Sequence, residues 1–358
     1  MGTSRGGEVE VTWTSGAAGS IHAGPRAVFP LDCTALPSSA MDPLSDLLRV
    51  VRLDGAFFYG VEAAEPWSVE TVAAQELTPR ILPAAEHMIS YHILTEGRCY
   101  GGLVGEEQVE LVPGDVIVFP HGDAYVMSSG RGVRVGPEVN SSAPARYPHT
   151  VLLGERGPRV TSFICGFLSC DRRPFNPLLA ALPRRMHMRG ISSAWHDSFT
   201  RQLTEESRAG RPGADTVLTR LAELMFIEVL RRYLEELPPG QTGWLAGLRD
   251  EMVGRVLTLL HGQPGHPWTL AELAREAASS RSSVAKRFAE LVGQPPMQYL
   301  TQWRMQVAAT LLAQSGAKVA AIGSEVGYDS EAAFSRAFKK ATGLAPGAWR
   351  ETRRTRRP

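Results

Sequence analysis

Apolar positions change their period twice along the 358-residue chain. From about residue 55 to Cys170 they come in short runs separated by Gly and Pro. Examples are M-I-S-Y-H-I-L at 88–94, G-D-V-I-V-F-P at 114–120 and V-T-S-F-I-C-G-F-L at 160–168. Such runs between turn residues predict closely spaced strands in a small sandwich or barrel. A helical period then takes over. P-L-L-A-A-L at 177–182 predicts a short helix, residues 191–209 a longer one, and residues 216–237 the strongest. In that last helix Leu218, Leu221, Leu224, Met225, Ile227, Val229 and Leu234 cover more than one core-facing stripe. It is either sandwiched in the core or half of a dimer contact, and the pattern leaves both open. Ahead of the strands, M-D-P-L-S-D-L-L-R-V-V at 41–51 reads as an amphipathic helix. Residues 1–40 are rich in Gly, Ser, Ala and Pro without periodicity and predict a disordered extension, leaving open whether Met1 or Met41 is the start.

After P-P-G-Q-T-G at 238–243, a linker signal, the helical period continues as a repeat. Shifted back by fifty, Ser330 falls on Ser280, Phe334 on Val284, Arg336 on Lys286, Phe338 on Phe288, Gly343 on Gly293, Pro346 on Pro296 and Trp349 on Tyr299. Ahead of the turn the offset is forty-nine, Ile322 on Leu273 and Glu325 on Glu276, so the second copy has a turn one residue longer. Insertions belong in turns, which supports the alignment. Each copy predicts a helix, a tight turn and a second helix. T-L-A-E at 269–272 is a capping box, Ser280 caps the second helix of the first copy, and Gly293 closes it. The predicted organisation is an extension over 1–40, a barrel over 41–172, a helical coupling or dimerisation segment over 173–237, a linker over 238–247, and a module over 248–358. Its helix-turn-helix units fall at about 269–292 and 318–342. The fold class is α+β, a β-barrel with a helical segment followed by an all-α domain.

The net charge of +1 conceals an asymmetry. From Trp268 to the end there are fourteen Lys or Arg against seven Asp or Glu, and the remainder has twenty-four against thirty. A basic module beside an acidic one is the electrostatic footprint of a nucleic-acid binder joined to something else. In the first copy Val284, Phe288 and Leu291 are spaced to face a core, which leaves Arg281, Ser282, Ala285 and Lys286 outward. In the second, Phe334 and Phe338 face inward while Glu331, Ala332, Ser335, Arg336 and Lys339 face out. Small residues let a helix approach base edges in the major groove, and Lys or Arg can reach guanine or phosphate. Solvated faces of an ordinary bundle would give one such pattern, but not two copies each followed by Gly-x-x-Pro and an aromatic.

These residues, together with Q-P-P-M-Q-Y-L-T-Q-W-R-M-Q-V-A-A-T-L-L at 294–312, resemble the signature of AraC/XylS-type bacterial transcription regulators over roughly 250–350. The resemblance implies two helix-turn-helix units joined by a long helix, placing recognition helices in successive major-groove segments on one DNA face. The matching base-facing positions are Ser282, Ala285 and Lys286, then Ala332 and Arg336. Gly323 stands where the family usually has Ala, and helix propensity alone predicts a second unit softer by about 1 kcal/mol. The resemblance also leans toward activation, with RNA polymerase as a further partner.

The strand-rich half resembles cupin-like sensor domains through M-D-P-L-S-D-L-L at 41–48, P-G-D-V-I-V-F-P-H-G-D-A-Y at 113–125 and C-G-F-L at 165–168. That implies a barrel able to hold a metal or small molecule. In related domains a His often stands where Tyr125 is, so one potential ligand is missing. The metal candidates are His87, His92 and His121, and the effector or redox candidates are Cys165, Cys170 and Cys99. Cys165 and Cys170, five apart, point to opposite faces of a regular strand unless the chain bends after Leu168. A metal, an oxidant, an organic effector and no effector all remain open, and no cofactor is assigned. Neither an acid–base pair, a nucleophile elbow nor a phosphate-binding Gly loop is evident, so an enzyme is not expected. The four cysteines Cys33, Cys99, Cys165 and Cys170 form no disulfide framework, and neither a signal-peptide pattern nor an eighteen-residue apolar stretch is present. The expectation is a cytoplasmic, homodimeric regulator that binds double-stranded promoter DNA and not membranes. An architectural DNA binder with little sequence preference and a cupin enzyme are the alternatives.

Overall fold

The computed structural model describes residues 42–354, apart from 52, 83–84, 134–149, 155–156, 172–173, 191–197, 200, 204 and 207–210. The expectations for residues 1–40, Cys33 and much of the 191–209 helix lie outside the described residues; 198–199, 201–203 and 205–206 are helical.

Helix α1 (Pro43–Val51) leads into strands β1 (Leu53–Ala64), β2 (Ser68–Glu70), β3 (His87–Glu96), β4 (Cys99–Leu103), β5 (Val109–Leu111), β6 (Val116–Phe119), β7 (Tyr125–Ser128), β8 (Thr150–Leu153) and β9 (Arg159–Cys170), with α2 (Ala74–Ile81) between β2 and β3. After α3 (Pro177–Ala181) comes β10 (Met186–Met188). Two sheets form, ordered β10-β6-β3-β9-β1-β8 and β2-β7-β4-β5. All described pairings are antiparallel except β1 with β8.

The period-2 geometry of a strand explains why β3, β6 and β9 read as nearly continuous apolar runs. Ile89, Tyr91 and Ile93 of β3, Val116 and Val118 of β6, and Ile164, Leu168 and Cys170 of β9 face a core outside the barrel. Met88, Leu94, Ile117, Phe119, Phe163, Cys165 and Phe167 alternate with them and fill the barrel. Cys165 and Cys170 therefore lie on opposite faces of β9. Gly166, between Cys165 and Phe167, gives room to a ring: a Cβ there would fall 2.1 Å from Tyr91 Cζ. The P-G-D segment is a turn in which the buried Asp115 accepts from Val112 N at 3.2 Å, Gly190 N at 2.8 Å and His187 Nε2 at 2.9 Å.

Helix α4 (Ala214–Glu236) lays Leu218, Ala222, Met225, Phe226, Val229 and Leu230 into the outer core, each buried. Burying an apolar side chain of this size contributes about 1.5–3 kcal/mol relative to exposure. The opposite face keeps Val217 and Leu224 exposed. Residues expected as linker, 238–247, include the start of a helix, α5 (Trp244–Arg249), because Trp244 and Leu245 are apolar and find a buried place in the same core.

The rest is helical: α6 (Glu251–Gly262), α7 (Leu270–Glu276), α8 (Arg281–Val292), α9 (Pro296–Gln314), α10 (Val319–Glu325), α11 (Glu331–Thr342) and α12 (Pro346–Arg354). The outer core of the barrel runs without a break into the first helix-turn-helix unit through Val253, Leu257, Leu273, Val284, Phe288 and Trp303. The second unit has its own core of Met305, Ala308, Leu312, Ile322, Phe334, Phe338 and Trp349. It meets the N-terminal half through polar contacts. Thr310 Oγ1 donates to Val50 O at 2.9 Å, Phe175 N to Gln306 Oε1 at 3.0 Å, and Arg353 pairs with Glu86 at 2.7 Å and Asp171 at 3.3 Å.

Candidate nucleic-acid interface and barrel interior

The two units are built by the same local chemistry. Ser280 accepts from Ser283 N at 3.1 Å to open α8, and Ser330 accepts from Ala333 N at 3.2 Å to open α11. Both helices end in left-handed glycines, Gly293 at φ 83° and Gly343 at φ 81°. In the turns, Ser279 N donates to Ala274 O and Tyr328 N to Gly323 O, each at 2.9 Å, which closes α7 and α10 alike. The residue that turns the chain left-handed is Ala278 at φ 48° in the first unit and Gly327 at φ 84° in the second. Thr269 accepts from Glu272 N at 3.2 Å, and the His266 ring bonded to Glu272 at 3.2 Å holds that carboxyl below its usual range.

Val284, Phe288 and Leu291 of α8, and Phe334 and Phe338 of α11, are buried. Arg281, Ser282, Lys286, Glu331, Ala332, Arg336 and Lys339 are exposed, and Ala285 and Ser335 half-buried on the same outer faces. Lys286 lies 3.9 Å from Glu290, an exposed pair of little energetic weight. Beside it Arg287 is turned onto Asp250 at 2.9 Å, the residue that caps α6 by accepting from Val253 N.

Gly323 has a packing reason that propensity cannot see. A Cβ there would stand 3.1 Å from Phe334 Cβ and Cγ. The first unit sets Ala274 and Val284 at the equivalent positions; the second trades the methyl for a larger ring, which is fully buried.

The six barrel candidates do not come together. His87 Nε2 lies 2.6 Å from Pro120 O and His121 Nε2 2.9 Å from Leu182 O, so each ring is tied to a carbonyl. His92 and Cys165, paired across β3 and β9, do meet, Nδ1 to Sγ at 2.8 Å. The His92 ring also lies 5.0 Å from Tyr125, which stacks on Phe119 at 4.1 Å, so aromatic rings occupy the space around the pair. Burial pushes the His92 imidazole down to about 3 and the Cys165 thiol well up. Burial, helped by Asp115, pushes Cys99 up to about 12. These are neutral groups in an apolar interior, the reverse of a reactive thiolate. Among the described residues no three His, Cys, Asp or Glu side chains converge on a metal position.

Two residues that sequence reasoning passed over hold the module in place. Arg353 lies between the barrel carboxylates of Glu86 and Asp171, with its guanidinium 4.7 Å from the Trp349 ring centroid. Arg304, midway along α9, donates to carbonyls of both units. A basic residue in an apolar helical stretch was the signal for Arg304; Arg353 was lost in a basic tail.

Fold and exposed faces together define a DNA-binding module of two helix-turn-helix units joined to a cupin-like barrel. A cupin family model matches residues 42–235, a span that takes in α4, and a helix-turn-helix domain model matches 273–352. An AraC-like transcription regulator of Streptomyces antibioticus is 33% identical over 314 residues, covering 87% of this chain and 99% of that protein. The RCS-specific HTH-type transcriptional activator RclR of Escherichia coli K12 is 26% identical over 315 residues, covering 87% and 98%. The solved DNA-binding domain of AdpA, in complex with a target DNA, is 30% identical over 30% of this chain and 97% of its own, with a TM-score of 0.29. The chain belongs to the AraC family of transcription regulators with an N-terminal cupin domain. No described helix is long and apolar enough to cross a membrane.

Proposed function

We propose that the protein binds a two-part promoter sequence, with α8 and α11 each reading one major-groove segment. The observation that carries this is the duplication itself, two helices with the same Ser cap and left-handed Gly stop whose polar faces are exposed. Ser282, Ala285, Lys286, Ala332 and Arg336 are the base-facing set; Arg281, Glu331, Ser335 and Lys339 border it. An input at the barrel changes its fit to the module and so the affinity for promoter DNA, which requires the input to bind one of two states more tightly. Homodimerisation through the outer face of α4, around Val217 and Leu224, and activation through contact with RNA polymerase complete the reading. The Escherichia coli relative is named as an activator, which supports that output. The protein acts in the cytoplasm and has no catalytic role.

The test is selection of genomic fragments by the purified protein, with and without reductant and chelator. One enriched two-part motif is expected. Arg336→Ala should weaken binding to it by about 5- to 150-fold, the worth of one good base contact. Affinity should fall steeply with salt. A flat salt response, no motif, or unchanged affinity for Arg336→Ala would overturn the reading. Occupancy that changes with reductant or chelator would assign a thiol or metal input; indifference to both would assign an organic one.

A further inference from the structure

The long helix α9 belongs to both units. Tyr299, Leu300 and Trp303 on its first half lie in the first core, and Met305, Ala308, Ala309 and Leu312 on its second half lie in the other. A single helix is one attachment, which bending or twisting can deform. The structure supplies a second attachment away from its axis. Arg304 Nε donates to Pro264 O at 2.6 Å and Nη2 to His266 O at 2.8 Å, both in the loop that enters the first unit. Its Nη1 donates to Gly327 O at 3.4 Å, in the turn of the second. Over this fork the two loops meet backbone to backbone. A Cβ on Gly265 would fall 2.4 Å from Glu325 O, and one on Gly327 would fall 2.6 Å from Gly265 O and 2.7 Å from Arg304 Nη2. A rigid planar fork suits three carbonyls held in fixed positions, which a lysine head cannot span.

We infer that Arg304, with the Gly265–Gly327 contact above it, sets the distance and rotational phase between α8 and α11, and thereby the number of base pairs accepted between the two DNA sub-sites. Arg304 is a specificity-determining residue whose guanidinium is committed to protein carbonyls. One base pair moves a sub-site by about 3.4 Å and about 35°, a displacement that a doubly attached pair of helices cannot follow. This inference rests on the proposed two-part promoter site.

The experiment uses the full chain and the best fragment from the selection, with its sub-sites mapped by base substitution. Operators with one base pair inserted or deleted between the sub-sites are titrated by fluorescence anisotropy. The wild type should bind both altered operators about 100-fold more weakly than the parent, the loss expected when one unit's base contacts are misplaced. Arg304→Gln should shrink that ratio to less than about 10-fold, and Arg304→Lys should fall between. Ser282→Ala, as a contact control, should weaken binding to the parent operator and keep a spacing ratio above about 10-fold. If Arg304→Gln folds poorly, the Arg304→Lys ratio decides. A ratio equal to the wild type's in the folded Arg304 variants, or a wild type indifferent to spacing, would overturn the inference while leaving the DNA-binding reading intact. A wild type that selects no motif would overturn both.

Discussion

Replacing Arg353 tests how the second helix-turn-helix unit is fastened to the barrel. Its guanidinium lies 2.7 Å from Glu86 and 3.3 Å from Asp171, and the three side chains are 15%, 7% and 24% exposed. Removing one partner of a fully buried ion pair costs about 3–5 kcal/mol, because the other charge is left desolvated, whereas an exposed pair is worth about 0–1. Glu86 belongs near the first case and Asp171 between the two. The Trp349 face at 4.7 Å adds a cation–π contribution of roughly 0.5–2 kcal/mol that Arg353→Met also forfeits. Arg353→Met should therefore destabilise the fold by about 2–4 kcal/mol. The sharper quantity is the coupling between Arg353→Met and Glu86→Gln in a double-mutant cycle of urea unfolding, which cancels packing changes common to both. A coupling of about 2 kcal/mol is expected. A value below about 0.5 kcal/mol would mean that the contact is merely a solvated surface pair, and that the barrel end at Glu86 and Asp171 does not hold α12.

Three further outcomes follow from individual residues. Ala278 adopts the left-handed conformation that Gly327 takes in the other unit. An L-residue there loses about 1–2 kcal/mol, so Ala278→Gly should stabilise the protein by up to about 1 kcal/mol after the added chain entropy is counted; a lower melting temperature would refute this. His92 and His261 are buried, which depresses both to about 3. Between that value and about 6.5 the unfolded chain binds more protons than the folded one, so stability is complete above about pH 6.5 and falls with acidification by about 1.4 kcal/mol per pH unit per histidine. Urea midpoints at pH 7.5, 6 and 5 should show the fall, with a shallower slope in His92→Gln; an identical slope would remove His92 from the account. Cys99 and Cys165, with raised pKa values, and Cys170, buried on the outer face, should resist iodoacetamide at pH 8 until the protein unfolds. Peptide mapping showing rapid native alkylation of any of them would contradict that burial.

What could be read from the chain was local chemistry. Ser280 and Ser330 as caps, Gly293 and Gly343 as stops, and the inward Val284, Phe288, Phe334 and Phe338 each follow from spacing within a dozen residues, and the repeat supplied an internal check. The alternation along β9 likewise put Cys165 and Cys170 on opposite faces. The barrel candidates were less legible because a histidine's partner is chosen by tertiary pairing. His87 and His121 end on the carbonyls of Pro120 and Leu182, and only the β3–β9 register brings His92 to Cys165. Arg304 and Arg353 look like any basic residues on helices; what distinguishes them are carbonyls and carboxylates far away in sequence. Gly323 reads as a weak helix position until Phe334 is seen against it.

The apolar core shared by the barrel's outer helices and the first helix-turn-helix unit bears on how this regulator can be recombined. A chimera that joins this barrel to the DNA-binding module of another regulator at the Pro-Gly stretch near 238 would lose α5, α6 and the start of α9, and would expose the faces of α1 and α3 that these now cover. Exchanging the second unit alone, from the middle of α9 onward, would carry its own core with it, and would cut the Arg353 ion-pair cluster, a few hydrogen bonds to the barrel and the Arg304–Gly265–Gly327 contact with the first unit. The second unit is therefore the more portable of the two, while the first is committed to the barrel whose core it shares.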